Sequence, residues 1–235
     1  MPEPGVKGLQ IVLAGGSGGL GSVTAGLLAG EGARLVVSYR ANRERAERLA
    51  PIATLVEADL TRAGDCERLL DSAPELYGLA VFVGDPARTE DMMLHSHNVN
   101  YFGPLLLARQ AAERMRASRT PGAIVLISTM QAVSLFPGST VYAGAKAALL
   151  HSARILAKEC RGAANIRVNV IAPGVMAAGM AEASIASGKY DRFLKDDVIH
   201  RFGAAMDVAR AVRFLLEPDN YVTGQVLSVD GGITL

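Results

Sequence analysis

The chain has 235 residues, half of them hydrophobic, and its 24 basic and 23 acidic side chains leave a formal charge of +1. Because no broad field of one sign covers such a chain, the composition argues against nucleic-acid or membrane-surface binding and favours a local site. The first residues, "MPEPGVKG", lack a signal peptide's basic region and apolar core, and no apolar run approaches the roughly 20 residues that span a bilayer. We therefore expect a cytoplasmic protein in which Cys66 and Cys160 form neither a disulfide nor a metal site.

Short apolar runs rich in β-branched residues are predicted as strands, and helix-period segments separate them. Most of the runs are apolar throughout, which is typical of strands covered on both faces of a parallel sheet. The pattern predicts one α/β domain over residues 1–235, with a doubly wound, seven-stranded parallel sheet and helices on both faces. The predicted strands are 9–14, 34–39, 53–58, 78–83, 123–128, 166–171 and 225–229, and the clearest helical segments are 21–32, 42–50 and 140–160.

A glycine-rich turn, "AGGSGGLG", follows the first predicted strand and opens a helix. Gly15, Gly19 and Gly21 stand where a strand must turn sharply, admit a pyrophosphate against bare backbone and pack a helix onto the sheet. Any tight turn uses glycine, so the cluster alone is weak. Its position between strand and helix predicts a dinucleotide site.

Residues 177–202 break the alternation of strand and helix. They are helical in pattern but lie between two strands where a short crossover would be enough. An insertion here would lie over the carboxyl ends of the strands, where ligands bind in such sheets. A substrate lid and an ordinary pair of surface helices both fit this pattern.

Further motifs follow in a fixed order along the chain. Asn100 lies in "NVNYFG", Tyr142 and Lys146 lie in "YAGAK", "IAPG" ends at Gly174, and "YVTGQVLSVDGG" comes near the end. Together with the G-x-x-x-G-x-G turn, this set resembles the short-chain dehydrogenase/reductase superfamily over essentially the whole chain. It looks most like the group that includes β-ketoacyl-[acyl carrier protein] reductases. The resemblance implies a single-domain Rossmann fold and a nicotinamide cofactor.

Tyr142 and Lys146 are one helical turn apart and therefore share a helix face. Hydride transfer to a ketone leaves an alkoxide that must be protonated, and a phenol can supply that proton. A nearby ammonium would lower the phenol pKa from about 10, and Lys146 is on the correct face to do so. The resemblance implies the same roles: Tyr142 as acid/base, and Lys146 as the group that tunes it and binds ribose.

Two adjacent hydroxyls, Ser128 and Thr129, end the fifth predicted strand. The family's carbonyl-polarising hydroxyl comes about 13 residues before its tyrosine, and counting 13 back from Tyr142 gives Thr129. Successive strand side chains point to opposite faces, so we assign the chemistry to Thr129 and a structural task to Ser128. The resemblance makes Asn100 the anchor of a water that relays protons from Lys146; an ordinary hydrogen bond to nearby backbone is the other interpretation.

The segment after the second strand sets the choice of nicotinamide. Tyr39 stands where a carboxylate would favour NAD, and Arg40, Asn42 and Arg43 follow it. A guanidinium beside the ribose suits a 2′-phosphate, so NADP(H) is predicted over NAD(H), although a solvated helix start is the alternative for both arginines. Asp59 resembles the family residue that accepts from the adenine amino group. The predicted cofactor contacts are Gly15, Ser17, Gly18, Gly19, Leu20, Gly21, Tyr39, Arg40, Asp59, Leu60, Gly84, Tyr142, Lys146, Pro173, Gly174 and Val175.

Three polar groups of the family pattern are missing. Ala14 replaces the threonine that opens the glycine motif, and "VGDP", residues 83–86, replaces Asn-Asn-Ala-Gly. Ala178 replaces the threonine that follows "IAPG". These losses predict either weaker cofactor binding or substitutes elsewhere in the chain.

Three functions fit these residues. The first is reduction of a 3-oxoacyl thioester or another small ketone, with Arg116, Arg119 and Arg161 as a docking surface for an acidic carrier protein or as plain solubilising charges. The second is an alcohol, sugar or steroid dehydrogenase of the same family. The third is a non-catalytic NADP(H)-binding protein. The resemblance also implies a homo-oligomer, usually a tetramer, that uses the apolar helices 104–115 and 148–159.

Overall fold

The computed structural model describes residues 5–86 and 89–235, and its centre is one seven-stranded parallel sheet with the strand order β3-β2-β1-β4-β5-β6-β7. Strands are added to one side of β1 as far as β3, and then to its other side from β4 onward. The connections on the two sides therefore diverge between β1 and β4, and doubly wound folds bind their ligands in the crevice that this creates. The predicted doubly wound Rossmann architecture is confirmed. The strands are β1 Gln10–Ala14, β2 Arg34–Tyr39, β3 Ala53–Glu57, β4 Leu76–Val81, β5 Gly122–Ile127, β6 Ile166–Pro173 and β7 Val226–Val229.

Helices cover both faces of the sheet. Alternate residues of β1 point to opposite sides: Ile11 and Leu13 pack with α1 and α9, while Val12 and Ala14 pack with α3, α5 and α6. All four side chains have no exposed surface, and burying a large aliphatic side chain contributes about 1.5–3 kcal/mol. The helices are α1 Gly19–Gly30, α2 Arg43–Glu47, α3 Ala63–Asp71, α4 Met93–His97, α5 Gly103–Ala117, α6 Thr140–Glu159, α7 Glu182–Ala186, α8 Asp191–Lys195 and α9 Ala205–Leu216.

Several strand boundaries differ by one or two residues from those predicted, and the ends of β4 and β5 matter for the site. β4 ends at Val81, so the predicted strand 78–83 was placed two residues too late: Phe82 and Val83 leave the sheet and line a cleft. β5 ends at Ile127, which puts Ser128 and Thr129 in the loop beyond the strand. In both places partly or fully buried residues continue past the last strand pair, and sequence alone does not separate a strand from a buried loop.

A π-helical turn, Asn98–Phe102, joins α4 to α5 and contains Asn100. Such turns widen a helix by one residue and are frequent at functional sites. Residues 177–202 contain a 3₁₀ turn and the helices α7 and α8, as the helical pattern predicts. Among residues 5–86 and 89–235, no helix is both long and apolar enough for a bilayer crossing. Residues 1–4 belong to the N-terminal segment that we predicted not to be a signal peptide, and they lie outside the described residues.

Candidate active site

A continuous cleft of about 1130 Å³ runs along the carboxyl ends of the strands, between the glycine-rich turn and the lid, residues 177–202. All of the predicted cofactor contacts lie on its walls, from Gly15 at β1 to Val175 after β6, and Thr129 does so too. Asn100 has no exposed surface and lies behind the wall, next to Gly84. The fold therefore brings together residues that are more than a hundred positions apart in sequence.

The glycine-rich turn has the close backbone approach that a phosphate cradle requires. Gly15 has φ +70°, and a Cβ there would lie 2.8 Å from a Val83 methyl carbon. A Cβ on Gly19, the first residue of α1, would lie 2.7 Å from the Gly179 nitrogen of the lid. Bare backbone at a helix start suits a pyrophosphate, so these residues fit a dinucleotide.

Other side chains supply hydrogen bonds where the family's polar groups are missing. The Gly15 N–H donates to the Ser38 hydroxyl at 2.9 Å, which supports the turn that Ala14 cannot support. In the lid, the Gly179 N–H donates to Glu182 Oε1 at 2.6 Å. The weakening expected from Ala14 is therefore offset by Ser38, a residue of β2.

At the adenosine end of the cleft, Arg40, Asn42 and Arg45 line the wall. Arg43, one of the two arginines expected there, does not line it and instead donates to Glu47 Oε1 at 2.9 Å. Asn42 begins α2 by accepting from the Arg45 N–H at 2.9 Å. The helix therefore places Arg45 on the cleft, which corrects the expectation for Arg43.

Asp59 follows β3 and faces the same end of the cleft. Its Oδ1 accepts from the Thr61 N–H at 3.0 Å and from the Thr61 hydroxyl at 2.8 Å. Partial burial opposes ionisation, but these hydrogen bonds and the charge of Arg40 hold the pKa of Asp59 below its ordinary value. The side chain is therefore a fixed anionic acceptor beside Arg40.

Tyr142 is the phenol of the site. Burial raises its pKa to about 12, the Asp85 carboxylate adds to the rise, and a hydrogen bond with the Thr129 side chain offsets part of it. The phenol is therefore protonated at neutral pH. In this state it can donate a proton, as an acid in ketone reduction must.

Backbone groups hold Lys146, one helical turn from Tyr142, and its expected effect on the pKa of Tyr142 stays a prediction. Its ammonium donates to the Val83 and Ile127 carbonyl oxygens, both at 2.9 Å, and its side chain is only 2% exposed. Burial in turn lowers the pKa of Lys146 to about 7. Both hydrogen bonds tie the lysine to the ends of β4 and β5, because those carbonyls have no strand partner where the sheet opens into the cleft.

Ser128 and Thr129 have different surroundings. The Ser128 hydroxyl donates to the Lys146 carbonyl oxygen of α6 at 3.1 Å, and its residue is 4% exposed. Thr129 Oγ1 accepts from the Gln131 N–H at 3.3 Å and interacts with Tyr142. The structure thus places Thr129 beside the phenol, while Ser128 holds the helix that carries Tyr142 and Lys146.

We predict that Thr129→Ala lowers kcat for ketone reduction by about a hundredfold, because a hydroxyl that polarises the carbonyl is removed. Ser128→Ala should instead reduce the free energy of unfolding by about 0.5–1.5 kcal/mol, because one buried hydrogen bond to α6 is lost, and should change kcat by less than about fivefold. Steady-state kinetics and denaturant unfolding of both variants test this. The reverse pattern would exchange the two roles.

Asn100 clamps the loop after β4. Its Oδ1 accepts from the Asp85 N–H at 2.8 Å, and its Nδ2 donates to the Asp85 carbonyl at 2.9 Å and to the Ser96 hydroxyl at 3.0 Å. The amide therefore replaces the strand-to-strand tie that the sequence lacks at residues 83–86. Its water-relay role stays a prediction.

The cleft residues that sequence reasoning did not predict include Ser38, Arg45, Asp85 and Met180. Only Arg45 had a usable signal, because Arg43 and Glu47 stand at i,i+4 spacing, which favours an ion pair that leaves Arg45 for the cleft. The Met180 ε-methyl carbon lies 3.6 Å from where a Cβ on Gly84 would be, a contact across the cleft from the lid. Such contacts between distant segments leave no local pattern.

Arg116, Arg119 and Arg161 do not surround the cleft. They lie at or just after the ends of α5 and α6, next to the starts of β5 and β6, where Arg116 donates to the Glu159 carbonyl at 3.3 Å. This is the amino edge of the sheet, opposite the cleft. Within one chain these arginines therefore lie away from Tyr142, and their role as a docking surface or as plain solubilising charges stays a prediction.

Comparison with known proteins supports the same class of site. The family model described as enoyl-(acyl carrier protein) reductase matches residues 14–234. The 3-oxoacyl-[acyl-carrier-protein] reductase of Rattus norvegicus is 33% identical, with 94% of this chain and 96% of that protein covered. Carbonyl reductase family member 4 of Danio rerio is 33% identical, with 95% and 97% covered. The structure of 7 alpha-hydroxysteroid dehydrogenase complexed with NADH and 7-oxo glycochenodeoxycholic acid matches with a TM-score of 0.89 at 28% identity, with 98% of this chain and 96% of that chain covered.

Proposed function

The chain belongs to the short-chain dehydrogenase/reductase superfamily, and we propose that it transfers hydride between NADP(H) and a small ketone or secondary alcohol. The observation that carries this proposal is the single cleft, which holds the glycine-rich turn and Arg45 at one end and the Tyr142–Thr129 pair at the other. A dinucleotide placed along this cleft would have its phosphates at the start of α1. Its reactive end would then lie near the phenol.

Bound NADPH supplies the hydride in such a reaction, and the chain's own groups manage the proton. Thr129 donates a hydrogen bond to the substrate carbonyl and fixes its orientation. Tyr142 donates its phenolic proton to the oxygen as the carbon–oxygen double bond becomes a single bond, so the alcohol leaves neutral. Lys146, held by the Val83 and Ile127 carbonyls, is positioned to bind ribose and to return a proton to the phenolate.

The choice of NADP(H) rests on Arg40 and Arg45. We expect Arg45→Ala to weaken NADPH binding about tenfold and NADH binding by less than about twofold, because a 2′-phosphate loses a charge-assisted hydrogen bond. Fluorescence titration with both nucleotides measures this. Arg43→Ala is the matched control: it removes the same charge from the same helix, but at a residue that pairs with Glu47. Equal losses in the two variants, or stronger binding of NADH by the parent protein, would contradict the proposal.

Two classes of ketone are candidates for the substrate. The name of the rat relative favours a 3-oxoacyl thioester, and the name of the zebrafish relative favours a carbonyl compound more generally. Because the three arginines lie at the opposite edge of the sheet, the geometry favours a small free ketone over a carrier-bound thioester. Turnover of NADPH with a panel of free ketones and a 3-oxoacyl thioester separates them; absence of nucleotide binding at millimolar concentration would overturn the proposed activity.

A non-catalytic NADP(H)-binding protein is the second candidate function. Three missing polar groups favour it, at Ala14, Val83 and Ala178. The Tyr142–Thr129 pair argues against it, because binding alone does not need an acid. Nucleotide binding without turnover of any ketone in that panel would favour this second function.

We further propose a homotetramer in the cytoplasm, on the family resemblance and on the sequence. Most apolar side chains of 104–115 and 148–159 pack inside the chain, but Phe102 and Ile155 are about half exposed, at 50% and 47%. These two side chains are the ones that a second copy would cover. The molar mass measured by light scattering tests the tetramer.

A further inference from the structure

Asp85 places a carboxylate in the cleft at a position where the family pattern has small or amide residues. It follows Gly84 at the end of β4 and lines the cleft, and its side chain is 28% exposed. Asn100 binds its backbone on both sides, so the residue has a fixed position. Its Oδ2 lies 3.1 Å from His95 Nε2, on α4.

This carboxylate and the Tyr142 phenol line the same cleft. The negative charge of Asp85 disfavours the phenolate and adds to the rise in the pKa of Tyr142. Ketone reduction builds negative charge on the carbonyl oxygen beside that phenol, and a fixed anion nearby opposes this charge. A positive group on the substrate would reduce this electrostatic repulsion and would be attracted to the carboxylate.

We propose that Asp85 forms an anionic subsite and that the substrates are small ketones with a positively charged nitrogen. This inference rests on the proposed ketone reduction and names its substrate class. A carboxylate can accept several contacts at once, so a substrate cation can share Asp85 with His95.

The Lys146 ammonium lies near this wall, 3.6 Å from where a Cβ on Gly84 would be, but two backbone carbonyl oxygens hold it. The other charges of the cleft lie elsewhere or are already engaged. Asp59 accepts from Thr61 at the adenosine end, and Glu182 accepts from a lid N–H. The lid cations Lys189 and Arg192 lie over its own aromatic rings, 5.4 Å from the Tyr190 centroid and 5.0 Å from the Phe193 centroid. The lid therefore adds positive charge on its own wall of the cleft, whereas Asp85 lies on the wall formed by the end of β4.

The test compares two ketones of the same shape that differ only in charge. One is the quaternary dimethyl-oxopiperidinium ion, whose charge does not depend on pH, and the other is the neutral dimethylcyclohexanone with carbon in place of nitrogen. The readout is the ratio of their kcat/KM values with NADPH. Because each variant is compared with the parent protein, the different intrinsic reactivity of the two ketones cancels.

We expect Asp85→Asn to lower this ratio about tenfold. A tenfold change corresponds to about 1.4 kcal/mol, which one charge pair near a protein surface can supply. Asp85→Glu should keep most of the ratio because it keeps the charge. Asp91→Asn, which removes an exposed carboxylate from the start of the following helical segment and outside the cleft lining, should leave the ratio unchanged. NADPH titration and thermal melting of each variant show that it is folded.

A ratio that is the same in Asp85→Asn and the parent protein would overturn the subsite, and so would an equal drop in Asp91→Asn. These results differ from failure of the proposed function, in which neither ketone would be reduced by any variant although NADPH is present. Competitive inhibition by the tetramethylammonium ion gives a second measurement. It should weaken in Asp85→Asn and persist in Asp85→Glu.

Discussion

Replacing Tyr142 with Phe is expected to lower kcat for ketone reduction by about a thousandfold or more, while NADPH affinity changes by less than about twofold. The phenol is the proton donor of the proposed reaction, and a positioned acid contributes about 10²–10⁴-fold to such a rate. Phenylalanine keeps the ring and loses only the hydroxyl, so the cleft keeps its shape. Stopped-flow or steady-state oxidation of NADPH measures the loss, and fluorescence titration measures the affinity.

The phenol's raised pKa adds a second readout to this experiment. In the direction of alcohol oxidation the phenolate is the base, so kcat should rise with pH toward the pKa that Tyr142 has in the ternary complex. In the cofactor-free protein burial raises that pKa to about 12. Removing the charge at Asp85 should lower that pKa and move the rise to lower pH. If Tyr142→Phe keeps the parent rate, another group supplies the proton and the assignment of Tyr142 is wrong.

Replacing Lys146 with Met is expected to lower kcat by about a hundredfold and to change how stability depends on pH. Lys146 is almost fully buried, and its pKa is lowered to about 7 from 10.5. Between these two values the unfolded chain holds a proton that the folded protein has released. The lysine's contribution to the free energy of unfolding therefore increases as pH rises from about 7 to about 10 and is constant at lower pH.

The measurement is urea unfolding of the cofactor-free parent and Lys146→Met proteins across this pH range. The difference in free energy of unfolding, parent minus variant, should increase by about 1.4 kcal/mol per pH unit in the most sensitive part of the range. Because Cys66 and Tyr142 are present in both proteins, their own titrations cancel. A difference that is flat from pH 7 to 10 would mean that the lysine is solvated and keeps its ordinary pKa.

Sequence patterns predict this fold because most of its strands are apolar on both sides and its first turn needs glycine. All seven strands occur where β-branched runs predict them. The errors that affect the site fall at Phe82 and Ser128, where the chain continues from a strand into the wall of the cleft without becoming exposed. Local sequence indicates that these residues avoid solvent, but it does not indicate where the hydrogen bonds between strands end.

The candidate site was less predictable, because its decisive contacts join distant segments. Counting residues placed Thr129 near Tyr142, since both belong to one short stretch of chain. The support of Gly15 by Ser38 depends on the pairing of β1 with β2, and the clamp between Asn100 and Asp85 depends on how a π-helical turn meets the loop after β4. The surroundings of Lys146 and Tyr142 also come from distant segments, because the Val83 and Ile127 carbonyl oxygens hold the ammonium and burial raises the pKa of the phenol.

The most direct test of the account follows the hydride itself. NADPH labelled with deuterium at the transferring position is incubated with the protein and a small ketone, and the alcohol is analysed by mass spectrometry. The account predicts one deuterium on the carbinol carbon for each NADPH consumed, and loss of this product in Tyr142→Phe. NADPH that binds in the cleft but transfers no deuterium to any ketone would contradict the central claim that the cleft joins a nicotinamide to a carbonyl beside Tyr142.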